Sequence, residues 1–446
     1  FMHTIVQERR KFGPLGFNIP YEFNQSDLSA CVMFMQNHLA DVDGKKRPVD
    51  WDAVNYMVCE VQYGGKITDD WDRRLFNTYG QAWLVPAILD PGFKFYDGYK
   101  IPQGIEVDAF RKSIDQMPLI DGTNLFGLHP NADIAFRTRQ TSMVLGTMLD
   151  VQPKSGGGGS GETREEVVLR IVVGLQDKLP MDYQPDDVRD ALKKQGGSKP
   201  LNIVLQQEVD RLQKVLSLVR ASLANLKLAI AGTIVMSPDL TNALDALFLA
   251  RVPAAWVKAS SFEAPSLGVW FSNILQRAEQ LSSWLKQGRP SCFWVTGFFN
   301  PQGFLTANRQ EVCRKHGKDG WALDDVVSHT EVTRMESEEV KKGPEEGVYL
   351  RGLFLDGCRW DKANNRLADS EPKVLYAPLP VLLVTGMLQS DRKAKQGGDA
   401  AFAFSCPCYK NPKRTDLNFI FAVDLRSDEP PAKWVLRGVS LLTTKD

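Results

Sequence analysis

The stretch from Pro200 to Ile230 constrains this chain more than any other. Leu205, Val209, Leu212, Leu216, Val219, Leu223, Leu226 and Ile230 recur in alternating steps of four and three. That spacing keeps apolar side chains on one stripe of an α-helix and approximates a heptad seam. At about 1.5 Å per residue, Leu205 to Ile230 reaches roughly 39 Å. Such a stripe must be covered, either by a second copy in a coiled-coil dimer or by helices of its own domain. Leu218 and Leu228 widen the apolar face beyond a clean seam, which favours packing within one domain.

Around this helix the sequence shifts in character several times. With 446 residues it has length for two to four domains. Lys154-Ser155-Gly156-Gly157-Gly158-Gly159-Ser160-Gly161 reads as a flexible linker, either an engineered spacer or a natural glycine-rich loop. Before it, the pattern is helical with irregular connections. Ser26-Asp27 caps a first stripe (Leu28, Cys31, Val32, Phe34, Met35, Leu39). Trp51 to Val61 forms a second and Trp71 to Phe76 starts a third, with further helices at Phe110 to Gln116 and Asn131 to Leu149. Beyond the linker, Glu162 to Leu179 and Ser266 to Lys286 are helical. From about residue 290, strands are expected at Ser291–Val295, Val348–Leu355, Val374–Val384, Ala401–Cys408, Leu417–Leu425 and Trp434–Leu442. One helix, Phe304 to Lys315, interrupts them, and Lys362-Ala363-Asn364-Asn365 reads as a hairpin turn. Six short strands imply a small barrel or sandwich.

Composition excludes little but points one way. Lys+Arg and Asp+Glu balance at 54 each, so no global charge draws the protein to nucleic acid or an acidic membrane. No apolar run approaches the roughly 18 residues of a membrane span; Val381-Leu382-Leu383-Val384 is the densest. The start, FMHTIVQERR, has no apolar signal core and reads like mid-domain sequence, so a fragment is expected. Seven scattered cysteines fit reduced thiols of a cytosolic compartment. Cys406-Pro407-Cys408 is the one close pair, and buried strand cysteines are favoured over zinc ligands because no matched Cys or His lies nearby.

The stretch VQYGGKITDD (Val61 to Asp70) invites a phosphate-loop reading. A P-loop needs G-x-x-x-x-G-K-[ST], so that glycines open backbone N–H groups to phosphate and a hydroxyl binds magnesium. Counting back from Gly65-Lys66, Glu60 stands where the first glycine belongs, and Ile67 follows the lysine. The reading fails. A glycine turn into a helix start accounts for it better, with Thr68 or Asp69 as cap and Asp69, Asp70 and Asp72 at the positive helix end. Arg73 and Arg74 follow within a turn, as exposed partners of those carboxylates or as side chains reaching a neighbouring module.

No other arrangement reaches useful specificity. G-x-S-x-G, H-E-x-x-H and G-x-G-x-x-G are absent. Asp324-Asp325 and Glu338-Glu339 sit in polar surroundings, and Cys313 and His316 lie in a basic turn with Arg314, Lys315 and Lys318. No catalytic, cofactor-binding or metal-binding residue is assigned.

Longer motifs carry a family resemblance. VQERRKFGPLGFNIPYEFNQSDL (Val6 to Leu28) and VQYGGKITDDWDRR (Val61 to Arg74) resemble the region ending the sixth AAA+ module of dynein heavy chains. Pro253-Ala254-Ala255-Trp256, TGFFNPQGFLTANRQE (Thr296 to Glu311), RTDLNFIFAVDL (Arg414 to Leu425) and WVLRGVSLL (Trp434 to Leu442) are similar to the same family's C-terminal domain. The glycine-rich loop before Glu162-Thr163-Arg164-Glu165-Glu166 and the NPQGFLTA segment resemble axonemal rather than cytoplasmic members, with the outer arm as the candidate position.

The resemblance implies an α+β protein: a helical AAA+ small subdomain, then an α-helical subdomain followed by a small antiparallel β-barrel. Its expected divisions are 1–25 (end of the AAA+ large subdomain), 26–150 (helical small subdomain), 151–162 (linker), 163–289 (helical C-terminal part) and 290–446 (barrel part). It further implies a non-catalytic structural and regulatory segment of an ATP-driven, minus-end-directed microtubule motor. ATP or ADP and magnesium belong to the parent ring and no cofactor to this segment. Implied partners are the rest of the ring and dynein intermediate and light chains, with the microtubule met only through a stalk outside this sequence. Nucleic acid and membrane are not expected, and the implied location is the cytoplasm, cytoskeleton and axoneme of cilia or flagella. A dimerising adaptor acting through the 205–230 seam is the alternative.

Overall fold

Residues 1–102, 106–151, 163–396 and 403–445 are described by the structure, a computed structural model, and they fall into two units, each assembled from distant segments. The first gathers Phe1–Thr147, Phe354–Pro378 and Ala401–Leu442; the second gathers Met148–Leu353, Leu379–Ala400 and Thr443–Asp446. The glycine/serine stretch lies outside the described residues.

Capping side chains set the helix starts of the first unit. Helix α1 (Met2–Arg9) runs into an irregular loop in which Gly13 adopts a φ of 62°. Helix α2 (Gln25–Lys45) begins at Asn24 rather than at Ser26-Asp27. The Asn24 side chain accepts from the Ser26 and Asp27 N–H groups, and the Asp27 carboxylate accepts from the Asn24 N–H at 2.8 Å. Helix α3 (Trp51–Tyr56), capped by Asp50, widens into a π-helical turn over Met57–Gln62. Helix α4 (Asp70–Trp83) buries Leu75, Phe76, Tyr79 and Trp83. The ribbon β1 (Lys94–Tyr96) and β2 (Tyr99–Lys100), α5 (Val107–Asp115) and α6 (Asn131–Val151) follow.

In the second unit, Thr163 and Glu166 form a capping box that starts α7 (Arg164–Lys178). Helices α8 (Pro185–Lys194), α9 (Pro200–Ile230) and α10 (Pro238–Phe248) each place proline in the first turn, where a missing N–H leaves no bond unmade. Next come α11 (Ala254–Ser260), α12 (Leu267–Gln287), β3 (Phe293–Trp294), α13 (Pro301–Lys315), β4 (Val326–Val332) and β5 (Val348–Arg351). Helix α9 is the axis of this unit and packs against α7, α10, α11, α12 and α13. Leu205, Leu212, Leu216, Val219, Leu223 and Leu226 are all 0% exposed. Each fully buried side chain of this size contributes roughly 1.5–3 kcal/mol. Helices of its own unit therefore fill the stripe, and the dimer seam has no face left; Leu218 and Leu228 lie off it at 38% and 42% exposure.

The backbone then supplies β6 (Phe354–Asp356), β7 (Arg359–Asp361), β8 (Arg366–Ala368) and β9 (Tyr376–Pro378) to the first unit. It returns to the second with β10 (Leu382–Leu388) and α14 (Gln389–Gln396). Finally β11 (Ala403–Tyr409), β12 (Phe419–Arg426), α15 (Pro431–Leu436) and β13 (Ser440–Leu442) complete the first. The β7/β8 hairpin turns over 362–365 as expected, with Asn365 at φ 54° and the Asp361 carboxylate accepting from the Ala363 and Asn364 N–H groups.

Two open sheets result. In the second unit the order is β3-β5-β10-β4, with β10 and β4 antiparallel from Leu382↔Val332 to Leu388↔Val326 and β3 parallel to β5. In the first unit it is β12-β11-β13-β6-β9, with β13 parallel to β11. The expected antiparallel barrel is thus corrected: among the described residues no barrel closes, and both sheets are mixed. Strands of two or three residues (β3, β6, β9, β13) are too short to tilt and stagger around a closed cylinder. Trp434, expected in a strand, lies in α15 because Pro431 occupies its first turn. Among the described residues no helix is long and apolar enough to cross a membrane.

Candidate functional site

The glycine-lysine stretch serves packing. Gly64 to Lys66 form a single tight turn, and a Cβ on Gly64 would stand 2.0 Å from the Cys59 carbonyl oxygen. Lys66 pairs with Asp27 at 2.7 Å. Asp69, not Thr68, caps α4, accepting from the Trp71 and Asp72 N–H groups at 2.9 Å each. Glu60, the residue that breaks the phosphate-loop pattern, accepts from the Asn77 amide at 2.5 Å and lies 3.5 Å from Arg73.

The acidic start of α4 belongs to a buried polar joint. Asp69 and Asp72 are 2% and 3% exposed. Asp72 accepts the backbone N–H groups of Asn18 (2.9 Å) and Ile19 (3.0 Å). The Asn18 side chain donates to Asp69 at 3.2 Å and to the Tyr409 hydroxyl on β11 at 3.0 Å. Burial first, and then the Asp69 charge, push the Asp72 carboxyl up to about 7 against the pull of those N–H donors. Burial likewise raises the Tyr21 phenol to about 12.

Two arginines fasten the same loop. Arg9, at 0% exposure, donates to the carbonyls of Gly16 (2.7 Å), Leu436 (2.8 Å) and Phe126 and to the Tyr79 hydroxyl (2.8 Å). Its planar fork serves four acceptors from four segments, which no other side chain could do. Burial lowers its pKa. Arg414, 3% exposed with a left-handed φ of 48°, donates to the carbonyls of Pro14 (3.2 Å) and Gly438 (2.8 Å) and pairs with Asp356 at 2.6 Å. The loop from Gly13 to Tyr21 is thereby tied to α4, α15 and the five-stranded sheet.

Arg74 takes the reaching option rather than the exposed one. It donates to the Ser405 carbonyl at 2.8 Å and lies over the Trp71 and Phe404 rings at 4.4 and 5.1 Å. Arg73 stays local, donating to the Ile67 carbonyl at 2.7 Å. Arg9, Asn18 and Arg414 carry no signal in the sequence, because their partners lie up to 427 positions away.

The remaining candidates do not converge. Cys406 and Cys408 are buried in β11, where burial raises the Cys406 thiol to about 12. Asp324-Asp325 occupy an exposed turn and Glu338-Glu339 a short helix with no fully buried residue. The Cys313 thiol donates to the Trp321 carbonyl, whereas His316 bridges Glu346 (2.9 Å) and Asp319 (3.0 Å), which raise its pKa. Among the described residues no group of three or more His, Cys, Asp or Glu is placed to hold a metal. In the joint most donors and acceptors are spent on one another, the buried Arg414 Nε being left over, so its chemistry is to hold the backbone in place.

Known proteins match the sequence along almost its whole length. The family model for the C-terminal domain of dynein heavy chains matches residues 138–443, and that for the dynein heavy chain AAA lid domain matches residues 1–132. The protein is 51% identical over 442 residues to dynein axonemal heavy chain 5 of Mus musculus, a match spanning 99% of this sequence and 9% of that protein. It is 50% identical over 442 residues to dynein axonemal heavy chain 8 of Homo sapiens, spanning 99% and 10%. It is 46% identical over 459 residues to the flagellar outer arm dynein gamma chain of Chlamydomonas reinhardtii, spanning 100% and 10%. The sequence therefore spans about a tenth of the length of these curated relatives. It belongs to the dynein heavy chain family, whose AAA lid and C-terminal domains it carries.

Proposed function

We propose that this protein is the structural and regulatory, non-catalytic C-terminal segment of an axonemal dynein heavy chain, within an ATP-driven, minus-end-directed microtubule motor of cilia or flagella. The observation that carries this reading is the joint around Arg9, which binds the loop after α1, helix α4 and helix α15 into one unit. A segment built this way transmits rotation of a neighbouring module without nucleotide chemistry of its own.

In this reading residues 1–25 end a large AAA+ subdomain and 26–150 form the small helical subdomain of a sixth module. Residues 151–162 link it to the helical part 163–289 and the strand-rich part 290–446. ATP, ADP and magnesium act elsewhere in the ring. The partners are the remainder of the ring and the intermediate and light chains, with the microtubule gripped by a distant stalk and the whole located on the axoneme.

The test is direct. The purified protein, titrated with magnesium-ATP, is expected to show neither turnover nor saturable binding. Either one would overturn the non-catalytic reading.

A further inference from the structure

Helix α13 ends at a histidine held from two sides. His316 caps the helix, and each of its ring nitrogens meets a carboxylate from a different segment. Nδ1 lies 3.0 Å from Asp319, in the short turn Gly317–Asp319 that follows the helix. Nε2 lies 2.9 Å from Glu346, just ahead of β5. These contacts fix the ring orientation, because a flipped imidazole would present carbons to both carboxylates. The ring also stacks on Trp321, with centroids 4.3 Å apart and planes 21° from parallel. Trp321 is tied back to α13 by the Cys313 thiol, which donates to its carbonyl at 3.3 Å.

Two carboxylates are both satisfied only by a ring with two N–H groups, the imidazolium. Neutral imidazole has one N–H and turns a lone pair on the other carboxylate. The carbonyl end of a helix and the face of an indole favour the charged ring as well. The bond to Glu346 first, and then that to Asp319, hold the His316 pKa above its ordinary 6.5. Lys315, on the last turn of α13, stands 3.7 Å from Glu346 and donates to the Glu345 carbonyl at 3.0 Å, whereas Lys318 is exposed on the turn. Loss of the proton does not affect the two contacts alike. The Asp319 side chain is 65% exposed and turns readily to water; that of Glu346 is 26% exposed and loses more if its N–H is withdrawn. The neutral ring therefore keeps its proton on Nε2.

We propose that His316 is a pH-operated clasp at the end of α13: charged, it holds the turn at 317–320 and the segment before β5 together, and neutral, it keeps that segment through Glu346 and releases the turn. Because folding raises the His316 pKa, the clasp is complete below pH 6.5 and opens as pH rises through the folded-state value.

The test uses the full 446-residue protein labelled with ¹⁵N-histidine, which gives five imidazoles, that of His316 being assigned by its loss in His316→Gln. Ring nitrogen shifts are expected to titrate with a midpoint above 6.5 and to report the Nε2–H tautomer once neutral. Hydrogen exchange supplies the second readout. The Asp319, Gly320 and Trp321 amides donate to the carbonyls of His316 and Gly317 within the turn. Their exchange, corrected for the intrinsic effect of pH, is expected to rise ~3-fold or more across the midpoint, with β4 and β5 unchanged. Asp319→Asn, whose amide can accept from the charged ring and donate to the neutral one, is expected to lower the midpoint and abolish that rise. Glu346→Gln is expected to lower the midpoint further. A midpoint at or below 6.5, an Nδ1–H neutral ring, equal corrected exchange on both sides of the midpoint, or a rise that persists in Asp319→Asn would each overturn the clasp.

Discussion

Arg9 and Leu436 stand 427 positions apart in sequence, yet the Arg9 guanidinium donates to the Leu436 carbonyl at 2.8 Å. The same side chain holds Gly16, Tyr79 and Phe126. Its charge is held by oriented carbonyls and one hydroxyl. Replacing Arg9 with Met would strip three carbonyls of a donor. A loss of about 3–5 kcal/mol in the stability of the first unit is expected, read from urea unfolding. Arg9→Lys, with fewer donors and no fork, should recover only part of it.

Asp72 makes the joint sensitive to pH. Its folded pKa of about 7 lies above the ordinary value of 3.8, so between these limits the folded state holds a proton that the unfolded state has released. Its contribution is therefore largest near pH 4, falls as pH rises, and is flat above about 7, a span of about 4 kcal/mol if fully expressed. The unfolding free energy of wild type minus that of Asp72→Asn, measured from pH 4 to 8, should fall across that window. A difference independent of pH would contradict the raised carboxyl.

Gly438 tests the close approach beneath α15. Its φ is +68°, and a Cβ there would lie 2.2 Å from the Leu15 carbonyl oxygen. Gly438→Ala should cost about 2 kcal/mol or more and lower the melting temperature of the first unit. An unchanged melting temperature would show that the Leu15 loop yields freely.

Helix α9 separates buried from exposed leucines. Leu212→Ala, at 0% exposure, should cost about 2–5 kcal/mol, whereas Leu228→Ala, at 42%, should cost about 0.5 kcal/mol or less. Sedimentation should report a monomer, because the seam is occupied within its own unit.

How far the residues themselves announce this architecture depends on the range of the forces involved. The α9 stripe and the turn at 362–365 follow from local periodicity and left-handed asparagine and are found where those rules put them, whereas capping rules narrow the start of α4 to Thr68 or Asp69 and the fold selects Asp69. The π-turn at Met57–Gln62 is illegible in sequence, since six residues cannot separate a wide period from an α-helical one. Strand β4 escapes a pattern reading because Ser328, His329, Thr330 and Glu331 give it a polar look that pairing with β10 overrides. Nothing beside Arg74 in sequence decides between its two roles; a strand 331 positions away does, by burying it. The joint is the extreme case: Arg9, Asn18 and Arg414 draw their partners from segments that only folding brings together.

Native-state hydrogen exchange, read by mass spectrometry on wild type and Arg9→Met, tests the central claim that these segments form one mechanical unit. Exchange is expected to rise together in 13–21, 70–83, 403–409 and 440–442, while α9 residues 205–226 stay protected. Faster exchange confined to the residues beside Arg9, with the sheet and α4 unchanged, would contradict it.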